Sequence, residues 1–288
     1  GGFDNNIRSG LITYIPLRKL MRIVRLLLCA SVGYALLCLF ACGMQRRILY
    51  HPDSFKPSPA QLNDIGLGYW PSEGDSFRGF VNTPALSPGA DVIVIFHGNA
   101  GNAWQRGYYP ELLGPLGYRV VLAEYAGYGG RPGDLTEESL VADGKETVRL
   151  ASQQYEGKLY VCGESMGVGV ASAVAADDQL PISGVIAITP WDSLASVAQS
   201  KFWFLPVRWL LQDTYDNVQN LNRFDGPVAV IVAEHDEVIP VHHGLRLYES
   251  LSGEKKLWTI SGAQHNTWPN KVDQVWWQEI MTFVTESR

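Results

Sequence analysis

Cysteine is scarce in this chain of 288 residues, and three of its four cysteines, Cys29, Cys38 and Cys42, fall in one apolar stretch. There is no C-x-x-C pair, no His/Cys cluster and no framework spacing, which argues against a disulfide scaffold and against a zinc site. Positive charge is also short. With 23 Lys and Arg against 29 Asp and Glu the formal net charge is -6, so no basic field is available for nucleic acid. What the chain has in quantity is hydrophobic residues, 46% of the total, enough to bury a full core in one large α/β domain.

The run suited to a bilayer is 26–44 (LLLCASVGYALLCLFACGM), nineteen residues without a charge, a marginal crossing length. Arg18, Lys19, Arg22 and Arg25 precede it, and Arg46 and Arg47 follow. That asymmetry puts the N-terminus in the cytoplasm and the following domain on the far side, periplasmic in a bacterium. Two readings stand for the segment: a transmembrane signal anchor, or a lipoprotein signal, because Leu39-Phe40-Ala41-Cys42 resembles a lipobox with Cys42 as the lipidated residue. Met21 followed by Arg-Ile-Val-Arg also resembles the start of a secretory signal. Either way the protein is held at a membrane. Residues 1–25 form an N-terminal tail, of which the first twenty read as disordered.

The stretch that organises the rest is 158–176. Its apolar start, Leu159-Tyr160-Val161-Cys162, suits a buried strand and its end a small-residue helix, joined by Gly163-Glu164-Ser165-Met166-Gly167. This is the G-x-S-x-G pattern of a nucleophile elbow, a turn that lifts a serine hydroxyl above the end of a sheet. Glycines are needed there because strand and helix approach too closely for side chains. Ser165 is the candidate nucleophile, and Cys162 reads as a small buried hydrophobe.

The uninterrupted β-branched run at 91–96 reads as a strand buried on both faces, and 118–123, 182–189, 227–233 and 256–260 read as further strands, with helical stretches such as 104–113 between them. This predicts a parallel sheet with crossover helices. Alternation near 65–70 and 77–82 predicts antiparallel edge strands. Asp134 and Glu137 have capping-box spacing ahead of a helix with Leu140, Gly144, Val148 and Ala151 on its apolar face. Val272, Trp276, Ile280 and Phe283 make the expected stripe of the last helix.

Loops after these strands hold the chemistry. His97-Gly98-Asn99-Ala100-Gly101-Asn102 follows one strand, and the glycine-rich 124–130 follows the next. An acid that could orient a histidine follows the strand 227–233: Asp236 is favoured by its context, with Glu234 and Glu237 as rivals. Of the six histidines, His265 stands at a strand end placed for catalysis, while His97 reads as a structural histidine. The apolar segment 191–223, around Pro206, reads as a helix pair packed on the body or as a cap whose inner surface receives an acyl chain.

The order Ser165, Asp236, His265, each after a separate strand, is the order of the α/β-hydrolase triad. Over about 47–288 the chain resembles that superfamily. HGNAGN, EYAGYGG, GESMG, AEHDEVIP and GAQH look like its membrane-anchored, depalmitoylase-like branch, with a departure at Arg131, where such sequences commonly carry serine and where the pocket rim would be altered. The resemblance implies an α/β fold with a mostly parallel central sheet, helices on both faces and a short helical cap at about 191–223. It implies Ser165 as nucleophile, His265 as proton carrier, Asp236 as its orienting acid and the backbone N–H groups of Asn99 and Met166 as an oxyanion hole, with no metal or organic cofactor. Tyr128, Trp203 and Phe204 are assigned to substrate binding. The expected function is a serine hydrolase cleaving ester or thioester bonds of an apolar, lipid-like acyl substrate through an acyl-serine intermediate. A peptidase or amidase with the same residues, and a catalytically silent membrane-tethered binding protein, are the alternatives.

Overall fold

The computed structural model describes residues 16–74 and 76–287. The chain divides between Met44 and Gln45 into two compact units. The first contains most of one long helix, Leu17–Leu49, which is long and apolar enough to cross a membrane. Its start is fixed by the carbonyl of Pro16, which accepts from the N–H groups of Lys19 and Leu20 at 2.8 and 3.1 Å. Arg46 and Arg47 occupy its last turn, where cations offset the partial negative charge of the helix end. The expected disordered tail falls largely on residues 1–15, which lie outside the described residues. From Leu17 onward the chain is helical instead, because the Arg and Lys residues ahead of the apolar run are themselves good helix formers.

The second unit is built on one sheet. Its strands are β1 (Leu67–Trp70), β2 (Gly79–Asn82), β3 (Val92–Phe96), β4 (Arg119–Ala123), β5 (Leu159–Glu164), β6 (Ile182–Ile188), β7 (Val228–Ala233) and β8 (Lys255–Ile260). They lie in the order β1-β2-β4-β3-β5-β6-β7-β8. β1 and β2 are antiparallel, as the alternation at 65–70 and 77–82 predicts, and the other six run parallel. The fold class is therefore the expected one, a mostly parallel sheet with helices on both faces.

The central strand β3 explains why the core strands read as continuous apolar runs. Val92, Val94 and Phe96 point to one face, against Leu140 and Val148 of the helix Glu137–Gln154 and Val170 and Val174 of the helix Met166–Ala175. Ile93 and Ile95 point to the other, against Tyr109 and Leu113 of Tyr108–Leu113 and Trp277 and Ile280 of Gln274–Glu286. With both faces dry, every position must be apolar. Each such side chain contributes roughly 1.5–3 kcal/mol, which holds the strand ends, and the loops they carry, in fixed positions.

Three local expectations are corrected. The helix expected over 104–113 is split into a 3₁₀ turn, Ala103–Arg106, and the helix Tyr108–Leu113, because Pro110 has no N–H to give the Arg106 carbonyl. The helix Glu137–Gln154 is capped by Thr136, whose hydroxyl accepts from the Ser139 N–H at 3.0 Å, and not by Asp134. Glu137 is drawn away to the Tyr215 N–H at 3.0 Å, a tertiary partner that a local capping box cannot match. On the last helix the buried face is Trp277, Ile280, Met281 and Val284. Asp273 starts that helix by accepting from the Trp276 N–H at 2.8 Å, so Val272 lies ahead of it in extended backbone, while Trp276 and Phe283 are partly buried beside the core face.

Candidate active site

Ser165 occupies a turn that few residues tolerate, with φ 53° and ψ -118°. Two glycines permit it. A Cβ on Gly163 would stand 2.5 Å from the Gly167 carbonyl, and one on Gly167 would stand 2.0 Å from the Phe96 carbonyl. The Ser165 N–H donates to Ile188 O at 2.9 Å, so β6 pins the turn from its open side. Beneath it Cys162 is buried, as expected. Burial foremost, and then the nearby Glu164 carboxylate, push its thiol well above the ordinary range, so it is held neutral.

Three strand spacings, about 14 Å, separate β5 from β8, so His265 reaches Ser165 by way of its loop. β7 and β8 pair in register from Val228↔Lys255 to Ala233↔Ile260. Past the strand ends the pairing continues, Glu234 N–H to Ile260 O at 3.2 Å and His235 N–H to Ala263 O at 2.8 Å. This brings Asp236 beside His265. Asp236 Oδ1 accepts from the N–H groups of Val238 and Ile239 at 3.0 and 2.7 Å, leaving Oδ2 for His265 Nδ1 at 2.7 Å. Because a carboxylate only accepts, Nδ1 carries the proton and Nε2 is left to accept from the Ser165 hydroxyl, 2.9 Å away. Ser165 and His265 are each 7% exposed, so the contact is nearly dry.

The two rival acids do other work. Glu237 accepts the His265 N–H at 3.1 Å, and its own backbone N–H together with that of His265 holds its carboxyl below the ordinary range. Glu234 takes the Gly262 N–H and the Ser261 hydroxyl, both at 2.8 Å, which lowers it likewise. Both brace the loops around His265 without facing its ring.

The N–H groups of Asn99 and Met166 donate to no protein acceptor among the described residues. Met166 begins the elbow helix, where the first N–H groups have no intrahelical partner. Asn99 is held by its other groups: its carbonyl accepts from the His51 N–H at 2.9 Å and the Tyr128 hydroxyl at 2.8 Å, and its side chain donates to Leu49 O at 2.8 Å. Tyr128, expected to touch substrate, is buried behind this loop and acts as its prop. Its phenol is pushed well above the ordinary range, by burial first. Trp203 and Phe204 stand edge to face at 5.8 Å but are 79% and 46% exposed, and so are not enclosed in a lining. Arg131 does not reach the pocket rim either; its guanidinium turns inward to Asp143 and to Glu124 O.

Three sets of supporting residues were not singled out from the sequence. Glu124 bridges the 97–102 loop through His97 Nε2 and the Ala103 N–H, and the neighbouring Tyr125 hydroxyl donates to His97 O at 2.7 Å. Glu164, inside the elbow, accepts from the Tyr108 and Tyr109 hydroxyls at 2.7 and 3.2 Å. Asp192, just past β6, pairs with the buried His243 at 2.8 Å and with Arg246 at 3.0 Å, tying the helix Leu194–Lys201 to the helix Val241–Ser250 that follows the Asp236 loop. Burial pushes the Asp192 carboxyl up, but hydrogen bonds from Ser196 and His243 outweigh it and leave it below its ordinary value. The available signal was the position of His243 beside Gly244 and Leu247 on the buried face of its helix.

Comparison with known proteins adds four findings. The family described as serine aminopeptidase, S33, matches residues 88–212. An uncharacterized protein of Mycobacterium tuberculosis, Rv2307c, is 30% identical over 256 residues, covering 86% of this chain and 90% of that protein. Lysophosphatidylserine lipase ABHD12 of Danio rerio is 29% identical over 185 residues, which span 58% of this chain and 48% of that lipase. Among solved structures, an esterase of Pyrococcus furiosus superposes with a TM-score of 0.59 at 18% identity, over 83% of this chain and 98% of that one. That likeness speaks for the fold alone.

Proposed function

Since this chain belongs to the α/β-hydrolase superfamily, in its ABHD-like branch, we propose that it is a serine hydrolase of carboxylic esters or thioesters with apolar acyl groups, working through an acyl-serine intermediate. The observation that carries this reading is the unbroken chain of contacts from Asp236 through His265 to Ser165, at 2.7 and 2.9 Å. His265 Nε2 takes the Ser165 proton as Oγ attacks the acyl carbonyl, then returns it to the leaving alcohol or thiol. Asp236 fixes the tautomer and stabilises the imidazolium. The unused N–H groups of Asn99 and Met166 hold the oxyanion, each donor lowering the barrier by about 3–4 kcal/mol. Water then enters by the same route in reverse and frees the acid.

The proposed organisation is an anchor at 26–44, a hydrolase domain at 47–288 and a cap at about 191–223. The apolar helix supports attachment to a membrane, and the basic residues ahead of it support a domain on the non-cytoplasmic side. The likeness to a lysophosphatidylserine lipase supports an ester as substrate. Amide hydrolysis is the second reading, favoured by the aminopeptidase description of the matching family.

The test is a series of nitrophenyl esters and acyl thioesters of increasing chain length beside matching nitroanilides. Ester or thioester turnover that rises with chain length and is abolished in Ser165→Ala is expected. Cleavage of anilides alone would replace this reading with the amidase, and folded protein inert toward every substrate would leave a silent scaffold.

A further inference from the structure

The segment 201–211 turns its side chains two ways. Leu205 and Val207 are buried in the body, whereas Phe202, Trp203, Phe204 and Trp209 are 38%, 79%, 46% and 90% exposed. An aromatic side chain carries roughly 200 Å² of surface, so four exposed rings within eight positions make a concentrated apolar patch, whereas the other exposed large apolar residues of the domain, such as Phe55, Ile65 and Val275, stand apart along the chain.

Both ends of the patch are tied to places that matter. At one end Lys201 Nζ donates to Val238 O at 2.7 Å, and the Val238 N–H in turn donates to Asp236. At the other, Gln45 Nε2 donates to Leu210 O at 3.0 Å, the Gln212 N–H donates to Gln45 Oε1 at 2.9 Å, and Arg46 pairs with Asp213 at 3.1 Å. Gln45 and Arg46 directly follow the charge-free run that ends at Met44. The aromatic stretch thus runs from the Asp236 loop to Gln45 and Arg46, the first residues of the second unit.

Charge points the same way. The whole chain is at -6, yet 201–211 carries Lys201 and Arg208 and no carboxylate. Tryptophan favours the boundary between headgroups and acyl chains, where the ring is half apolar and half wet, and lysine and arginine beside it attract anionic lipid.

We infer that the face formed by Phe202, Trp203, Phe204 and Trp209 docks on an anionic bilayer surface. A consequence, which rests on the hydrolase reading above, is that the substrate is a bilayer-resident acyl ester drawn from the leaflet under the cap to Ser165 without crossing bulk water.

The experiment uses the full chain reconstituted in vesicles of phosphatidylcholine with a minor share of phosphatidylglycerol, with bromine carried at shallow acyl positions. None of the nine tryptophans lies in the helix Leu17–Leu49, so quenching reports on the folded domain. The expected result is quenching in the wild type that is lost in the double variant Trp203→Phe, Trp209→Phe. The ratio of turnover on vesicle-embedded ester to turnover on a soluble ester is expected to fall about tenfold in the same variant. Equal quenching in both proteins, or none in either, would overturn the docking face; cross-linking between copies through Trp203 without quenching would make it a self-association surface instead. Quenching without any ester turnover would remove the hydrolase reading and leave the docking face standing.

Discussion

Glu124 Oε1 and His97 Nε2 meet at 3.1 Å, with both side chains 1% exposed. The other Glu124 oxygen takes the Ala103 N–H at 3.0 Å, so one carboxylate fixes the start and the end of the loop that carries Asn99. The loop's backbone geometry, and with it one of the two proposed oxyanion donors, depends on a side chain that never touches substrate. Glu124→Gln keeps the size and removes the charge. Its expected effect is a fall in ester turnover of about 100-fold with KM within about twofold, since a misaimed oxyanion donor is felt in the transition state more than in binding. Steady-state kinetics on one nitrophenyl ester check it.

Gly167 tests the elbow itself. With a Cβ 2.0 Å from Phe96 O and 2.6 Å from His97 O, Gly167→Ala pushes on backbone that cannot yield, and a loss of about 3 kcal/mol in stability is expected. Urea unfolding measures it, and a loss under about 1 kcal/mol would show that the strand and helix separate more easily than their packing indicates.

Ser165 itself stores strain. A non-glycine residue at φ 53°, ψ -118° costs on the order of 1–3 kcal/mol. Ser165→Gly is therefore expected to be more stable than Ser165→Ala by about 1 kcal/mol, with both inactive. Parallel thermal melts decide it, and equal stability would mean that the turn is relaxed.

The Asp192 pair with His243 gives a pH signature. Its carboxyl titrates below its ordinary value in the fold, so the stabilisation is present above the unfolded value, about 3.9, and is lost as pH falls through the lower folded value. Asp192→Asn is expected to unfold about 2 kcal/mol more easily at neutral pH, with the gap closing below about pH 4. A gap constant across that range would show that the charge contributes nothing.

The parallel sheet was legible in the sequence because strands buried on both faces must be apolar at every position, as in Val92–Phe96. Ser165, Asp236 and His265 were legible because each sits at a strand end in a locally recognisable turn. Glu124 and Asp192 were not, since their histidine partners lie 27 and 51 residues away and no local pattern announces them. The placement of Tyr128 and Trp203 was not legible either: both are aromatic residues in the right region, but composition does not say which way a side chain faces. The fold buries the first as a prop for Asn99 and leaves the second outside. The last helix shows the same limit on a smaller scale: it is apolar enough on two adjoining faces that the spacing alone did not single out Trp277, Ile280, Met281 and Val284 as the buried one.

Labelling of the full-length protein with a fluorophosphonate, followed by mass spectrometry of the adduct, tests the proposed chemistry most directly. One adduct on the peptide containing Ser165 is expected, absent in Ser165→Ala and slowed on the order of 10⁴-fold in Asp236→Asn with unchanged melting. Folded protein that takes no adduct, or labelling that persists in Ser165→Ala, would contradict it.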